Sequence, residues 1–125
     1  LLELARKSDV LVVACRADED NRGLISAEVI DALGPQGLLV NVARGQLVDE
    51  DALIAALRSG RLGQAALDVF AEEPTDAARW ADVPNTVLTP HTAGATTEAV
   101  QGMLALLLQN LAAAFAGGPL KTPVS

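Results

Sequence analysis

His91 is the only histidine in this 125-residue chain, and it follows Pro90 in the run TPHTAGAT. Imidazole is the one side chain whose unperturbed charge change falls near neutrality. A proton-transfer step at pH 7 would use it. Glu73, in Glu72-Glu73-Pro74, supplies a carboxylate that beside His91 would orient the ring and favour its protonated form. Arg44 stands between Ala43 and Gly45, where its guanidinium could clamp a carboxylate bidentately. Asp68 interrupts the apolar run ALDVF, and a buried charge needs a partner or a ligand. Each residue also has a plainer reading: a surface histidine, a solvated loop acid, a surface ion pair and a structural hydrogen bond. One histidine, one cysteine and scattered carboxylates predict no metal site. The chain has no G-x-x-x-x-G-K-[ST] loop, no G-x-S-x-G elbow and no G-x-G-x-x-G fingerprint. Its nearest glycine pair, Gly34 and Gly37, precedes a strand pattern rather than a helix.

These residues need elements to hold them. Leu1–Lys7 reads as the end of a short helix. Asp9–Ala14 (DVLVVA) is valine-rich and continuous, the signature of a strand buried on both faces of a parallel sheet. A polar loop, Cys15–Asn21, follows. Ser26 is positioned to cap a helix, SAEVIDAL, that Gly34-Pro35 ends. Leu38–Val42 is a second strand and Asp49–Arg58 a second helix, stopped by Gly60. Ala65–Val69 and Thr86–Thr89 read as the third and fourth strands, joined by a loop holding Glu72, Glu73 and Pro74. Thr96–Phe115 is the longest helix. Its apolar positions run almost all round, so its surface should exceed what one sheet face can cover. Alternating strands and helices predict a doubly wound parallel sheet with helices on both faces. In such sheets ligands bind beyond the carboxyl ends of the strands, which is where Cys15, Arg16, Arg44, Asp68, Glu73 and His91 fall.

Half of the residues are apolar and a fifth are charged, which excludes a disordered tail. A net charge of −7 without any Lys/Arg run argues against a nucleic-acid surface. Mean hydropathy is +0.31, yet the apolar stretches look well short of the ~20 residues that span a bilayer. Cys15 sits in an apolar run and is expected as a buried thiol in a reducing compartment, so a cytoplasmic protein without membrane contact is expected. The chain starts Leu1-Leu2-Glu3 and its only methionine is Met103. A fragment of a longer protein is the simplest expectation.

LGPQGLLVNVARGQLVDEDALIAALRSGRLGQAALDVFAEEP, followed by NTVLTPHTAGAT, resembles the D-isomer-specific 2-hydroxyacid dehydrogenases from about Ser8 to the C-terminus. The V-A-R-G turn, the A-L-D-V-F strand, the E-P dipeptide and the T-P-H-x-A-G turn occur in that order at matching spacing. The resemblance implies a Rossmann-like fold. Residues 1–96 would be the C-terminal half of a dinucleotide-binding domain. Residues 97–125 would be a helix and tail returning toward a substrate domain. It implies an oxidoreductase that reduces small 2-oxo acids, such as glyoxylate or hydroxypyruvate, with NAD or NADP, in a homodimer. Arg44 matches the arginine that holds the substrate carboxylate, His91 the acid/base and Glu73 its paired carboxylate. Asp68 matches an acid near the nicotinamide carboxamide. Val42, Ala43 and Gly94 match positions lining the same pocket, to which Arg44 and His91 also contribute. Cys15, Arg16 and Asn21 match the loop against the adenosine side.

The chain departs from the family at two of these places. Many members have proline at Arg16 and threonine at Asn21, so the carry-over is weaker there. Arginine could stack on an adenine or reach a phosphate instead. Formate dehydrogenases of the same superfamily place glutamine at Glu73. A non-enzymatic NAD-binding relative, of the corepressor kind, could keep all three catalytic residues.

Overall fold

The computed structural model describes residues 1–123. Val124 and Ser125, at the end of the expected tail, lie outside them. The chain divides into two compact units, Leu1–Thr92 and a second beginning at Ala93.

In the first unit, α1 (Leu2–Arg6) leads into β1 (Val10–Val13), then α2 (Ala27–Leu33), β2 (Leu38–Asn41), a 3-10 turn at Gly45–Leu47, α3 (Glu50–Ser59), β3 (Gln64–Leu67), α4 (Ala77–Trp80) and β4 (Thr86–Leu88). All four strands are parallel, in the order β1-β2-β3-β4. The α4 turn was expected as loop. The 3-10 turn likewise follows β2 where only a break was expected.

Register explains which residues make the core. Leu11, Leu39 and Ala65 lie side by side, as do Val13, Asn41 and Leu67, and all six are buried. All but the polar Asn41 share one apolar cluster with Val29, Ile30 and Leu33 of α2 and Leu53, Ile54, Ala56 and Leu57 of α3. The alternate row runs Val12, Val40, Ala66 and Val87, and Val12 and Val87 are exposed. The expectation that β1 is buried on both faces is therefore corrected for these residues: Leu11 and Val13 are buried, and the alternate row is open. The cause is strand order. Four strands that step in one direction by right-handed crossovers carry all their connecting helices on one side.

The helix ends are built differently. Asp49 caps α3 by accepting from the Ala52 N–H at 3.0 Å, and Gly60 closes it in the left-handed region at φ 72°. Ser26 precedes α2 in extended conformation but makes no side-chain cap bond, contrary to its expected role. Cys15 is exposed, again contrary to expectation, because β1 ends at Val13 and the thiol falls in the loop beyond it.

The second unit is mainly α5 (Thr97–Phe115), capped by Thr96, which accepts from the Ala99 N–H at 3.1 Å. The Asn110 side chain ties the tail back, bonding the Lys121 N–H and the Thr122 hydroxyl. No α5 residue is buried. Leu104, Leu106, Leu107, Leu108, Leu111 and Phe115 are all exposed, as the excess of apolar surface predicted. At 19 residues and a mean hydropathy of 1.2, α5 is long and apolar enough to cross a membrane by length and composition. That corrects the expectation that no stretch approaches this length. A helix buried between protein layers meets the same two criteria.

Candidate active site

The carboxyl ends of β2, β3 and β4 bring three segments of the first unit to one edge of the sheet. The first is the turn after β2. Asn41 is buried, and its side chain closes that turn by accepting from the Ala43 N–H and donating to the Arg44 carbonyl, both at 3.0 Å. Arg44 is extended at φ −148° and ψ 145°. Its guanidinium donates to the Ala43 carbonyl at 2.6 Å. Gly45 then lies against the second segment. A Cβ at this position would stand 1.9 Å from the Phe70 carbonyl carbon and oxygen. Only glycine permits that approach.

The second segment follows β3. Glu73 folds back so that one carboxylate oxygen accepts the Phe70 N–H at 2.9 Å. Its other oxygen meets His91 Nδ1 at 2.7 Å. The third segment carries His91, which sits at φ 55°, a left-handed conformation that costs a non-glycine residue about 1 kcal/mol. The buried Asp68 carboxylate holds this turn from below. It accepts the Thr89 hydroxyl at 2.5 Å and the Thr92 N–H at 2.9 Å. It thus brackets His91 on both sides and fixes an otherwise unfavourable backbone.

The electrostatics follow from these contacts. The His91 hydrogen bond first, and the Phe70 N–H second, hold the Glu73 carboxyl below the ordinary carboxylate range. Desolvation opposes this weakly, and the Arg44 charge adds to it. An ionised Glu73 at Nδ1 requires a proton there, so Nε2 is the ring nitrogen left to act on a ligand. The pair is reachable, because the His91 and Glu73 side chains keep 45% and 37% of their surface exposed.

Two clefts flank the three segments. One, of about 490 Å³, is lined by His91, Glu73, Pro90, Phe70 and Trp80 among others. The other, of about 350 Å³, is lined by Ala14, Cys15, Arg16, Ala17, Val42, Ala43 and Arg44. Five of the expected cofactor-lining residues thus share one cleft beyond β1 and β2. Asn21 does not reach it with its side chain, which is spent on the loop, donating to the Arg16 carbonyl at 2.8 Å and accepting from the Asp18 N–H at 2.9 Å. Gly94 lies in the turn that opens the second unit and is exposed. Apolar side chains at Ala14, Ala17, Val42 and Ala43 suit a flat, extended ligand, and Arg16 and Arg44 suit an anionic one. These residues fit a dinucleotide.

Sequence reasoning missed the residues that shape the site without facing it, namely Asn41, Gly45 and the pair Thr89 and Thr92. Asn41 left a usable signal, a polar residue inside the apolar run LLVNV.

Residues 1–93 match the profile of the family described as D-isomer specific 2-hydroxyacid dehydrogenase, NAD binding domain. The chain is 48% identical over 99% of its length to a hydroxyphenylpyruvate reductase of Plectranthus scutellarioides, and 47% identical over the same share to glyoxylate/hydroxypyruvate reductase A of Arabidopsis thaliana. It spans about 40% of the length of both. Among solved structures it superposes on an NADPH-dependent glyoxylate/hydroxypyruvate reductase of Sinorhizobium meliloti, in complex with NADP and malonate. The TM-score is 0.92 and the identity 39%, with 99% of this chain and 39% of that one covered.

Proposed function

The chain belongs to the D-isomer specific 2-hydroxyacid dehydrogenases through their NAD binding domain, and on that premise we propose that the protein carrying it reduces small 2-oxo acids to D-2-hydroxy acids. Glyoxylate and hydroxypyruvate are the substrates favoured by the names of its relatives. The observation that carries this reading is the 2.7 Å contact between His91 Nδ1 and a Glu73 whose carboxyl is held ionised.

The tasks divide among a few residues. Arg44 pairs its planar guanidinium with the substrate carboxylate. His91 gives the proton on Nε2 to the carbonyl oxygen as negative charge grows there. Glu73 accepts the Nδ1–H, which orients the ring and fixes its tautomer. Asp68 keeps the His91 turn in place through Thr89 and Thr92. Arg16, Val42, Ala43 and Arg44 line the cleft that would hold a nicotinamide dinucleotide, which would supply the hydride when bound.

The protein acts as a homodimer in this reading, supported by apolar surface left open on the sheet and on α5. The acidic balance and the exposed Cys15 thiol support a reducing cytoplasm.

The test is His91→Gln in the intact protein, following loss of reduced-cofactor absorbance with glyoxylate. The turnover number should fall by ~10²–10⁴ while cofactor affinity stays put. An unchanged turnover number would sink the acid/base assignment. Wild-type protein that binds cofactor but reduces no 2-oxo acid would favour a non-enzymatic role.

A further inference from the structure

Glu50 is a buried carboxylate that the reaction does not use. It opens α3 and is 7% exposed. Burying a carboxylate is costly unless hydrogen bonds and an opposite charge compensate it. One of its oxygens accepts the Ala71 N–H. The other lies 3.5 Å from Arg79 Nε, and Arg79 also pairs with Asp51 at 2.7 Å.

This burial does not serve the helix. Asp49 already caps α3, and Asp51 supplies a second acid in its first turn. An exposed Glu50 would favour the helix N-terminus as well. What the bond does is fix a place. Ala71 and Phe70 present consecutive N–H groups. The first goes to Glu50 and the second to Glu73, which holds His91. Gly45 presses on the same peptide, leaving no room for even one methyl group.

We propose that Glu50 is a positioning residue for the Glu73–His91 pair, acting through the Phe70–Ala71 segment, with reach rather than charge as its essential property. The inference deepens the oxo-acid reductase reading and rests on it for its kinetic consequence. Arg79 neutralises the buried carboxylate, and Gly45 sets the opposite limit of the segment. Positioning of this kind is worth much in rate, because a shift of about an ångström in a catalytic group can cost ~10²-fold.

Two conservative variants separate reach from charge in the intact protein. Glu50→Asp keeps the charge but withdraws the carboxylate by roughly 1.5 Å, one carbon–carbon bond. Glu50→Gln keeps the reach and an accepting oxygen but removes the charge. Glu50→Asp should lower the turnover number ~10-fold with KM for reduced cofactor within about twofold, while Glu50→Gln stays within about threefold of wild type. The second readout is the low-field proton resonance of the His91 Nδ1–H, assigned by its absence in His91→Gln. It should persist in wild type and Glu50→Gln and be lost to solvent exchange in Glu50→Asp. The opposite order, no effect of either variant, or equal loss in both would overturn the inference. If wild type turns over no 2-oxo acid, the reductase reading fails, while the resonance in the two variants still decides the role of Glu50.

Discussion

Helices α3 and α5 start alike and end differently. Each is capped by a side chain that accepts the N–H three residues on, Asp49 from Ala52 and Thr96 from Ala99. In α3 the apolar residues gather on one side, and Leu53, Ile54, Ala56 and Leu57 are buried against the sheet cluster. In α5 they run nearly all round, and none is buried. The more apolar helix is the less buried one. Apolar content states how much surface wants cover, whereas burial requires a partner of matching shape.

The largest effect expected from this contrast is in stability. Leu53 has no exposed surface, so Leu53→Ala should cost this chain ~2–5 kcal/mol. Leu107 is 54% exposed, and Leu107→Ala should stay within about 0.5 kcal/mol. Urea denaturation of the two variants measures both. Comparable losses would show that α5 is held by a core after all.

The caps give a smaller version of the same test. Asp49→Ala should lower global stability by about 1 kcal/mol, because α3 unfolds only with the core. Thr96→Ala removes an equivalent bond but should fray only the first turn of α5. Circular dichroism would then record a loss of helix with no shift of the main denaturation midpoint. A midpoint shift as large as that of Asp49→Ala would join α5 to the cooperative unit.

The smallest effect lies in one contact of the first unit. The Glu73 carboxyl titrates lower in the fold than in the unfolded chain, so its ionised form favours the fold. That contribution is complete above the ordinary glutamate range and fades as pH falls through and below it. Glu73 is partly exposed, so the increment is modest. Denaturation midpoints followed from pH 7 toward acid should fall more steeply for wild type than for Glu73→Gln. Parallel curves would place Glu73 outside the folded hydrogen-bond network.

Much of this was legible in the chain. The valine-rich runs, the glycine stops and the helical spacing of Thr96–Phe115 located every strand and both long helices within a few residues, because each signal is local. That the three candidate residues come to one edge was legible for a related reason. Arg44, Glu73 and His91 follow strand ends, and a parallel sheet gathers its strand ends at one edge. The α4 turn was missed because its four residues carry no periodicity. The open alternate row of β1 was missed because the side on which connecting helices pack depends on strand order, which no single strand reveals.

What the sequence determined alone was the kind of chemistry: one imidazole, a carboxylate beside a proline and a guanidinium in a small-residue turn. The tertiary structure decided which groups hold that chemistry still. Asp68 bonds residues more than twenty positions away, and Glu50 bonds Ala71 twenty-one positions away. Whether a buried acid binds a ligand, caps a helix or braces a loop depends on its partner in space. Sequence spacing specifies that partner only within one helix, one strand or one turn, where the backbone itself sets the distance.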